Sequence, residues 1–193
     1  MNRWKSTLAA IASCILATGA WAQPYPSKTI KLIVPFAAGG STDIIARLTA
    51  EQMRKDMGQT VIVENVGGAA GALGTQQGAQ AAPDGYTLTV ATVSSMIVYS
   101  ATRANPKYTL ESFAPITNIA SMPNVLTVNA SFPAKNLTEF IKVLKDNPGK
   151  YTFASSGIGS INHMLGESFQ AEAGVKMVHV PYKGSGPAMQ DVM

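Results

Sequence analysis

Apolar runs, glycine-rich loops and amphipathic stretches alternate along the first half of the chain. Residues 29–35 form a mostly apolar run typical of a buried strand, and Ile45, Thr49 and Met53 recur at helical spacing within residues 43–57. The pattern predicts strands at 29–35, 60–64 and 86–93 and helices at 43–57 and 72–82. Because these strands alternate with helices, we expect an α/β fold built on a parallel, doubly wound sheet.

The second half of the chain repeats this alternation after an irregular stretch. Asn136 and Glu139 have the spacing of a helix capping box, and Pro187 is a favourable early residue for a last helix. The predicted elements are strands at 113–120, 124–128, 151–154 and 177–180 and helices that begin near 137, 161 and 187. The change in rhythm predicts a first α/β domain at 23–120 and a second, incomplete α/β domain at 121–193.

The first 22 residues have the pattern of an export signal. Arg3 and Lys5 give a positive start, an uncharged run of small and apolar residues follows, and residues 20–22 (AWA) end it in a small-x-small pattern. We expect cleavage after Ala22, which gives a mature periplasmic chain that begins at Gln23.

The cysteine content and the net charge exclude several classes of binding site. An alternative to cleavage is a lipoprotein with Cys14 as lipid acceptor, but apolar residues continue past Cys14 and favour a leader that is removed with it. The mature chain then has no disulfide and no thiolate metal site. Because Arg3 and Lys5 are the leader's only charges, its loss lowers the formal net charge from +4 to +2. That balance, with 13% charged residues, does not fit a nucleic-acid-binding protein.

Two loops of small residues carry the strongest functional signal. The first loop (36–41) and the second loop (155–160) each follow a predicted strand and precede a predicted helix. Open α/β folds bind ligands at this sheet edge, where unpaired amides at a helix start attract anions. Either loop alone also fits a tight turn with capping hydroxyls. The pair predicts a clamp that holds an anion without a cation.

Four side chains near the loops could each have a separate role. Asp43 fits first-turn stabilisation of its helix, with acceptance of a ligand ammonium or amide as the alternative. His163, one turn into the helix after the second loop, could bind a ligand, whereas His179 fits a buried group with a satisfied hydrogen bond. Ser94 follows the third predicted strand and joins the predicted ligand set. That set is Ala38, Gly39, Gly40, Ser41, Thr42, Asp43, Ser94, Ser155, Ser156, Gly157, Gly159, Ser160 and His163.

Other functional classes lack their motifs. No phosphate-binding P-loop sequence occurs, and Asn162 stands where a dinucleotide fingerprint needs its third glycine. Ser185 lies between two glycines but not in the G-x-S-x-G of an α/β hydrolase. Two histidines without a cysteine are a weak metal set. We therefore expect no catalytic residues, no metal and no cofactor.

Several segments together resemble the Bug-type receptors, the TctC-like substrate-binding subunits of tripartite tricarboxylate transporters. The matching segments run in order through the mature chain: 25–28 (YPSK), 30–35 (IKLIVP), 39–44 (GGSTDI), 83–88 (PDGYTL), 113–115 (FAP), 147–150 (NPGK), 155–163, 165–167 (LGE) and 179–184 (HVPYKG). Family members often read Asn-Arg-Pro-Gly-Ala after the second strand. This chain has NVGGA at 65–69, so we assign no ligand role to that loop.

The resemblance implies a two-domain periplasmic-binding-protein (Venus flytrap) fold whose C-terminal part lies beyond Met193. It implies a small carboxylate held by main-chain amides and waters at residues 38–42 and 155–160, and delivery to membrane permease subunits. We expect a monomeric receptor that is not an enzyme and binds no nucleic acid. Two alternatives are a sensor of the same fold that signals through its closed form, and an α/β hydrolase, which would need a nucleophile–base pair.

Overall fold

A computed structural model describes residues 24–193. The predicted leader, with Cys14 and the cleavage position after Ala22, lies outside the described residues. Within 24–193, no helix combines the length and the apolar character that a membrane crossing requires.

The first sheet contains three parallel strands. Strand β1 (Ile30–Val34) is central, with β2 (Val61–Asn65) and β3 (Thr87–Thr89) hydrogen-bonded on either side. In register, Ile30 lies opposite Val61. The central strand is apolar and buried at four of five positions because neighbours and helices cover it. The predicted parallel α/β arrangement is confirmed.

Helix α1 (Ser41–Met57) covers this sheet through its small residues. Ala46 and Ala50 pack against Leu32 and Val34 of β1 to form the main apolar core. The helix ends as predicted at Gly58, whose left-handed conformation (φ 65°) lets its amide donate to Arg54 O. The second helix, α2, spans Ala72–Ala79 and ends before the predicted limit of 82.

A helical segment follows β3 where the sequence predicts strand as far as 93. Residues Val93–Val98 form a π-helical turn that continues into α3 (Tyr99–Thr102). Thr92 and Ser95 cap this turn reciprocally, each side chain accepting the other residue's amide at 3.2 Å. These local hydroxyl–amide bonds compete with strand pairing, so the strand stops early.

The predicted strands at 113–120 and 124–128 are wrong for this structure. A 3₁₀ turn (Leu110–Ser112) precedes this stretch, and residues 113–129 are irregular. Ile116 and Val125 are 77% and 76% exposed. A strand needs a hydrogen-bonding partner, and none of the described strands pairs with this segment. The boundary that we place here between the domains stays a prediction.

The second sheet consists of two parallel strands with three helices. Strand β4 (Thr152–Ser155) pairs with β5 (Val178–Pro181). The helices are α4 (Leu137–Asp146), α5 (Ile161–Ala173) and α6 (Ser185–Val192). Asn136 caps α4 by accepting the Glu139 amide at 3.0 Å, as the sequence predicts. This sheet presents the second loop at the end of β4.

Candidate functional site

The first loop leads from β1 to an N-terminus that no side chain caps. Gly40 is the N-cap residue of α1, with extended backbone angles (φ −84°, ψ 169°) and no side chain to accept an amide. The first intrahelical bond runs from Ile44 N to Gly40 O. The amides of residues 41–43 therefore lie outside the helical ladder, in the arrangement that attracts an anion.

Asp43 is buried behind this loop and holds its shape. Its carboxylate accepts the Gly39 amide at 2.9 Å and Arg47 Nε at 3.0 Å through one oxygen, and Asn65 Nδ2 at 2.8 Å through the other. The side chain of Asn65 also donates to Phe36 O at 3.1 Å. The residue is only 3% exposed, so its acceptor positions serve the protein itself.

The pKa of Asp43 agrees with this structural role. Burial alone would raise the pKa of the Asp43 carboxyl, but the hydrogen bonds from Arg47, Gly39 and Asn65 outweigh burial and hold the pKa below its usual value. The carboxylate is therefore charged at neutral pH. It stabilises the start of α1 and the turn at Gly39, which supports the first of our two hypotheses for this residue.

The second loop is held by its own side chains. Ser155 Oγ accepts the Gly157 amide at 3.1 Å, Ser160 Oγ caps the His163 amide at 3.2 Å, and His163 Nδ1 accepts the Gly159 amide at 3.2 Å. Several predicted ligand residues thus serve the loop itself. The amides of Gly157 and Gly159, expected to face a ligand, already have protein partners.

Three aromatic rings stack beneath the second loop. His179 Nε2 lies 2.6 Å from Ser155 Oγ. The His179 ring contacts the rings of both His163 and Phe153, with centroid distances of 4.0 and 4.8 Å. Burial lowers the pKa of His179, the charge of His163 lowers it further, and Glu167 opposes this in part. His179 is therefore a neutral support with the hydrogen bond that the sequence predicts, although the residue is half-buried and not fully buried.

The lowered pKa of His179 predicts acid sensitivity. Below pH 6.5, its ordinary pKa, the unfolded chain takes up a proton that folded His179 does not, so stability should fall as pH falls. We expect His179→Gln, which can keep a hydrogen bond to Ser155, to lose less stability between pH 7.5 and 5.5. Urea unfolding of both proteins at each pH measures this, and equal losses would contradict it.

A third loop (182–184), which follows β5, lies against the first loop. Lys183 O accepts the Ala37 amide at 2.9 Å. A Cβ built on Gly40 would lie 2.7 Å from Ser185 Oγ, and one built on Gly186 would lie 2.9 Å from Ala38 O. The start of α6, whose N-cap Gly184 also offers no side chain, therefore packs directly against the start of α1.

The second loop and the start of α5 also contact two segments that follow strands of the first sheet. Ser94 Oγ accepts the Ile161 amide at 3.0 Å. A Cβ built on Gly157 would lie 3.1 Å from Ala70 N and 3.4 Å from Tyr182 O. The third loop also bonds to the second, since the Tyr182 amide donates to Ser155 O at 3.0 Å. The structure thus brings the predicted loops to one junction, with the third loop in contact with both.

The predicted site residues differ in their access to solvent. Exposed are Ala38, Gly39 and Ser41; half-buried are Thr42, Gly159 and His163; buried are Gly40, Asp43, Ser94, Ser155, Ser156, Gly157 and Ser160. The exposed members cluster at the start of α1. Ser156 Oγ donates to Asn162 Oδ1 at 2.9 Å and so already has a protein partner.

The predicted ligand set does not include the third loop or the segment 66–71, although both contact the other loops. The third loop carries the same signal as the other two, because a glycine and Ser185 follow strand β5. In segment 66–71, Ala69 and Ala70 have left-handed backbones (φ 48° and 56°) that non-glycine residues rarely adopt. Local sequence gives no sign of that strain, which lies beside Gly157 of the second loop.

Positive charge contributes little at the junction. Lys183 is exposed, and Arg47 is engaged with Asp43. Among residues 24–193, no three histidine, cysteine or acidic side chains cluster in a way that could hold a metal ion. A shallow depression over α1 and β2 shares no residue with the three loops; Arg47, Ala50, Glu51, Arg54, Val61 and Val63 line it. The geometry thus offers helix-start amides as the main anion donors.

Curated relatives align with this chain over most of its length. A UPF0065 protein of Bordetella pertussis is 40% identical over 182 residues, which cover 94% of this chain and 56% of the relative. Protein BugT of the same organism is 38% identical over 185 residues, covering 95% and 57%. The chain therefore spans a little over half the length of these relatives.

Solved structures agree with the described architecture. A periplasmic transporter is 54% identical with a TM-score of 0.85, covering 87% of this chain and 57% of that one. MatC of Rhodopseudomonas palustris with bound malate is 34% identical (TM-score 0.81, 87% and 57%). Rpa4515 of R. palustris with adipate is 32% identical (TM-score 0.80, 87% and 56%).

These comparisons identify the fold as that of a periplasmic binding protein, of which the C-terminal part is not in this chain. The family model of the tripartite tricarboxylate transporter receptors matches residues 45–193. That range includes the second and third loops and most of α1. The chain belongs to the tripartite tricarboxylate transporter receptor family and is a Bug-type, TctC-like receptor.

Proposed function

We propose that the full-length protein is a periplasmic receptor that captures a small carboxylate at the junction of its loops and delivers it to membrane permease subunits. The signal peptide would direct export and be cleaved after Ala22, and the receptor would act as a monomer. The observation that carries this proposal is the pairing of two helix starts, those of α1 and α6, whose N-caps Gly40 and Gly184 offer no side chain.

Two helix starts can bind a carboxylate without a cation. The amides of residues 41–43 and 185–186 lie outside the helical ladders, and each helix adds partial positive charge at its start. Ser41 and Ser185 supply hydroxyl donors beside these amides. The bound malate and adipate of two structural neighbours favour a dicarboxylate of four to six carbons as the solute.

The contact between Ser155 and His179 raises the hydrolase alternative, since it supplies a serine beside a possible base. Two features favour a binding role. Ser155 is only 2% exposed, and its hydroxyl oxygen already accepts the Gly157 amide. A substrate carbonyl could reach this oxygen only if the second loop moved away. We therefore propose that the pair supports the loop and does no chemistry.

The proposal predicts selective binding of carboxylates by the full-length receptor. Native mass spectrometry of the protein as purified should reveal a retained acid. Calorimetric titration should show binding of malate or adipate but none of the matching neutral diamides, because only the acids carry the charge that the helix starts attract.

Lys183→Ala separates the amide mechanism from a cation mechanism. We expect this variant to bind within about fivefold of the wild type, because an exposed ion pair contributes roughly 0–1 kcal/mol. Abolished binding in Lys183→Ala, or diamides that bind as tightly as acids, would rule out the helix-start mechanism. Binding of none of these acids and no retained acid would rule out the proposed solute class.

A further inference from the structure

Ser94 caps a helix that belongs to the other sheet. Its Oγ accepts the amide of Ile161, 67 positions later in the chain, at 3.0 Å. Ile161 is the first residue of α5, so its amide has no partner within the helix. The N-cap residue Ser160 serves the amide of His163 instead. Two serines, one from each side of the junction, thus share the amides at the start of α5.

Contacts of its own helical segment hold Ser94 in position, independently of its bond to Ile161. The reciprocal cap between Thr92 and Ser95 fixes the backbone on both sides of it. The Tyr108 hydroxyl donates to Ser95 O at 2.5 Å and ties the same turn to the core. With only 4% of its surface exposed, Ser94 has little freedom to turn elsewhere. Its hydroxyl is therefore preorganised to meet α5.

We infer that Ser94 is a positioning residue that joins the two sides of the loop junction, rather than a direct contact of the ligand; its part in capture rests on the proposed function. The bond to Ile161 exists only while the second loop lies against the first sheet's side. This bond gives the Ile161 amide, which could otherwise attract an anion at the start of α5, a partner within the protein. The solute would therefore bind at the starts of α1 and α6, whose amides have no such partner from another side chain among residues 24–193.

Removing the Ser94 hydroxyl should expose one particular amide. In the full-length receptor as purified, we expect Ser94→Ala to raise the hydrogen-exchange rate of the Ile161 amide about tenfold, measured by NMR. The His163 amide, which Ser160 caps within the same helix turn, should keep its wild-type rate. Ser94→Thr should restore protection at Ile161, because it returns a hydroxyl to the same place.

Ser100→Ala is the matched control. Ser100 belongs to the same helical segment as Ser94, but its buried Oγ has no hydrogen-bond partner among residues 24–193. We expect this variant to leave the Ile161 rate unchanged. Unchanged Ile161 exchange in Ser94→Ala would overturn the inference, as would an equal acceleration at His163, which would indicate general fraying of α5.

This readout reports on the contact itself and not on which solute is bound, so it separates the two proposals. If no carboxylate binds but Ile161 loses protection in Ser94→Ala, the proposed function fails and the positioning role stands. If malate or adipate binds and Ile161 exchange does not respond to Ser94→Ala, the positioning role fails and the proposed function stands.

Discussion

Gly186→Ala is expected to weaken solute capture by roughly 10- to 100-fold while leaving the unliganded receptor as stable as the wild type or slightly more so. A Cβ at this position would lie 2.9 Å from Ala38 O and 3.0 Å from both Gly39 C and Gly40 N. All three neighbours are backbone atoms of the first loop, which cannot swing aside as a side chain can. The closed junction therefore has no room for one methyl group.

The expected size follows from the cost of overpacking. Forcing an extra carbon into a packed contact costs about 1–3 kcal/mol, which corresponds to roughly 5- to 150-fold in affinity, and we expect a value toward the middle of that range. The Venus flytrap fold implies that the two domains close on the solute, so before closure the same methyl group would not contact the first loop. Gly186 lies inside α6, where alanine is favoured over glycine by up to about 1 kcal/mol. Stability and capture should thus change in opposite directions.

Thermal unfolding of the unliganded full-length receptor and calorimetric titration with malate or adipate measure the two effects. Gln190→Ala, at an exposed position of the same helix, is the control and should change neither quantity appreciably. Wild-type affinity in Gly186→Ala would show that the starts of α1 and α6 do not meet when the solute binds.

The first sheet could be predicted from sequence because its signals are local. The apolar run of β1, the helical spacing through Met53 and the stop at Gly58 each depend on neighbours within a few residues. The structure agrees with these three predictions to within two residues, since α1 begins at Ser41 rather than at residue 43. The position of the two loops after β1 and β4 follows from the same local pattern.

The predictions that went wrong depended on hydrogen-bonding partners that composition and spacing do not specify. Strands at 113–120 and 124–128 have the right composition, but composition does not supply a hydrogen-bonding neighbour. The strand predicted to reach 93 stops early because of the Thr92–Ser95 cap. His163 follows the second loop as expected, yet its acceptor nitrogen serves Gly159. Sequence spacing identifies which residues border a site but not which of them the protein uses for itself.

Ser94 and Ile161 show the same limit more sharply. Sixty-seven positions separate them, and only the packing of the second loop against the first sheet's side brings them together. The third loop was missed for a different reason, because its serine was considered only as a nucleophile. The strand–glycine–helix rule applied to the other two loops would have included Ser185.

Asp43→Asn should destabilise the receptor and impair the first loop, because no neutral side chain can accept all of the hydrogen bonds that the carboxylate accepts. Asparagine offers one oxygen and would turn an NH₂ group toward at least one of the present donors: Gly39 N, Arg47 Nε and Asn65 Nδ2. Arg47 is 53% exposed, so water can replace its partner. The loss of stability therefore comes mainly from the Gly39 amide and the Asn65 side chain, because one of these donors would be left without an acceptor.

An unsatisfied buried donor costs about 1–3 kcal/mol, and we expect a loss of this size in urea unfolding at pH 7. The dependence of the unfolding free energy on pH in the acidic range should also change. Since the pKa of Asp43 is lowered from 3.8 in the folded protein, wild-type stability is fully present above that value and is lost as pH falls through the folded pKa. The variant should lack this loss.

Glu51→Gln provides the comparison that decides between a specific and a general charge effect. Glu51 lies on the same helix and pairs with Arg54, but its side chain is 49% exposed. Its pKa is lowered to about 2, mainly by the Arg54 hydrogen bond, and solvent screens such a pair. We expect wild-type unfolding and wild-type capture in this variant. If Asp43→Asn behaved like Glu51→Gln, the carboxylate of Asp43 would not be what fixes the turn at Gly39, and the preorganised helix start proposed for solute binding would lose its structural support.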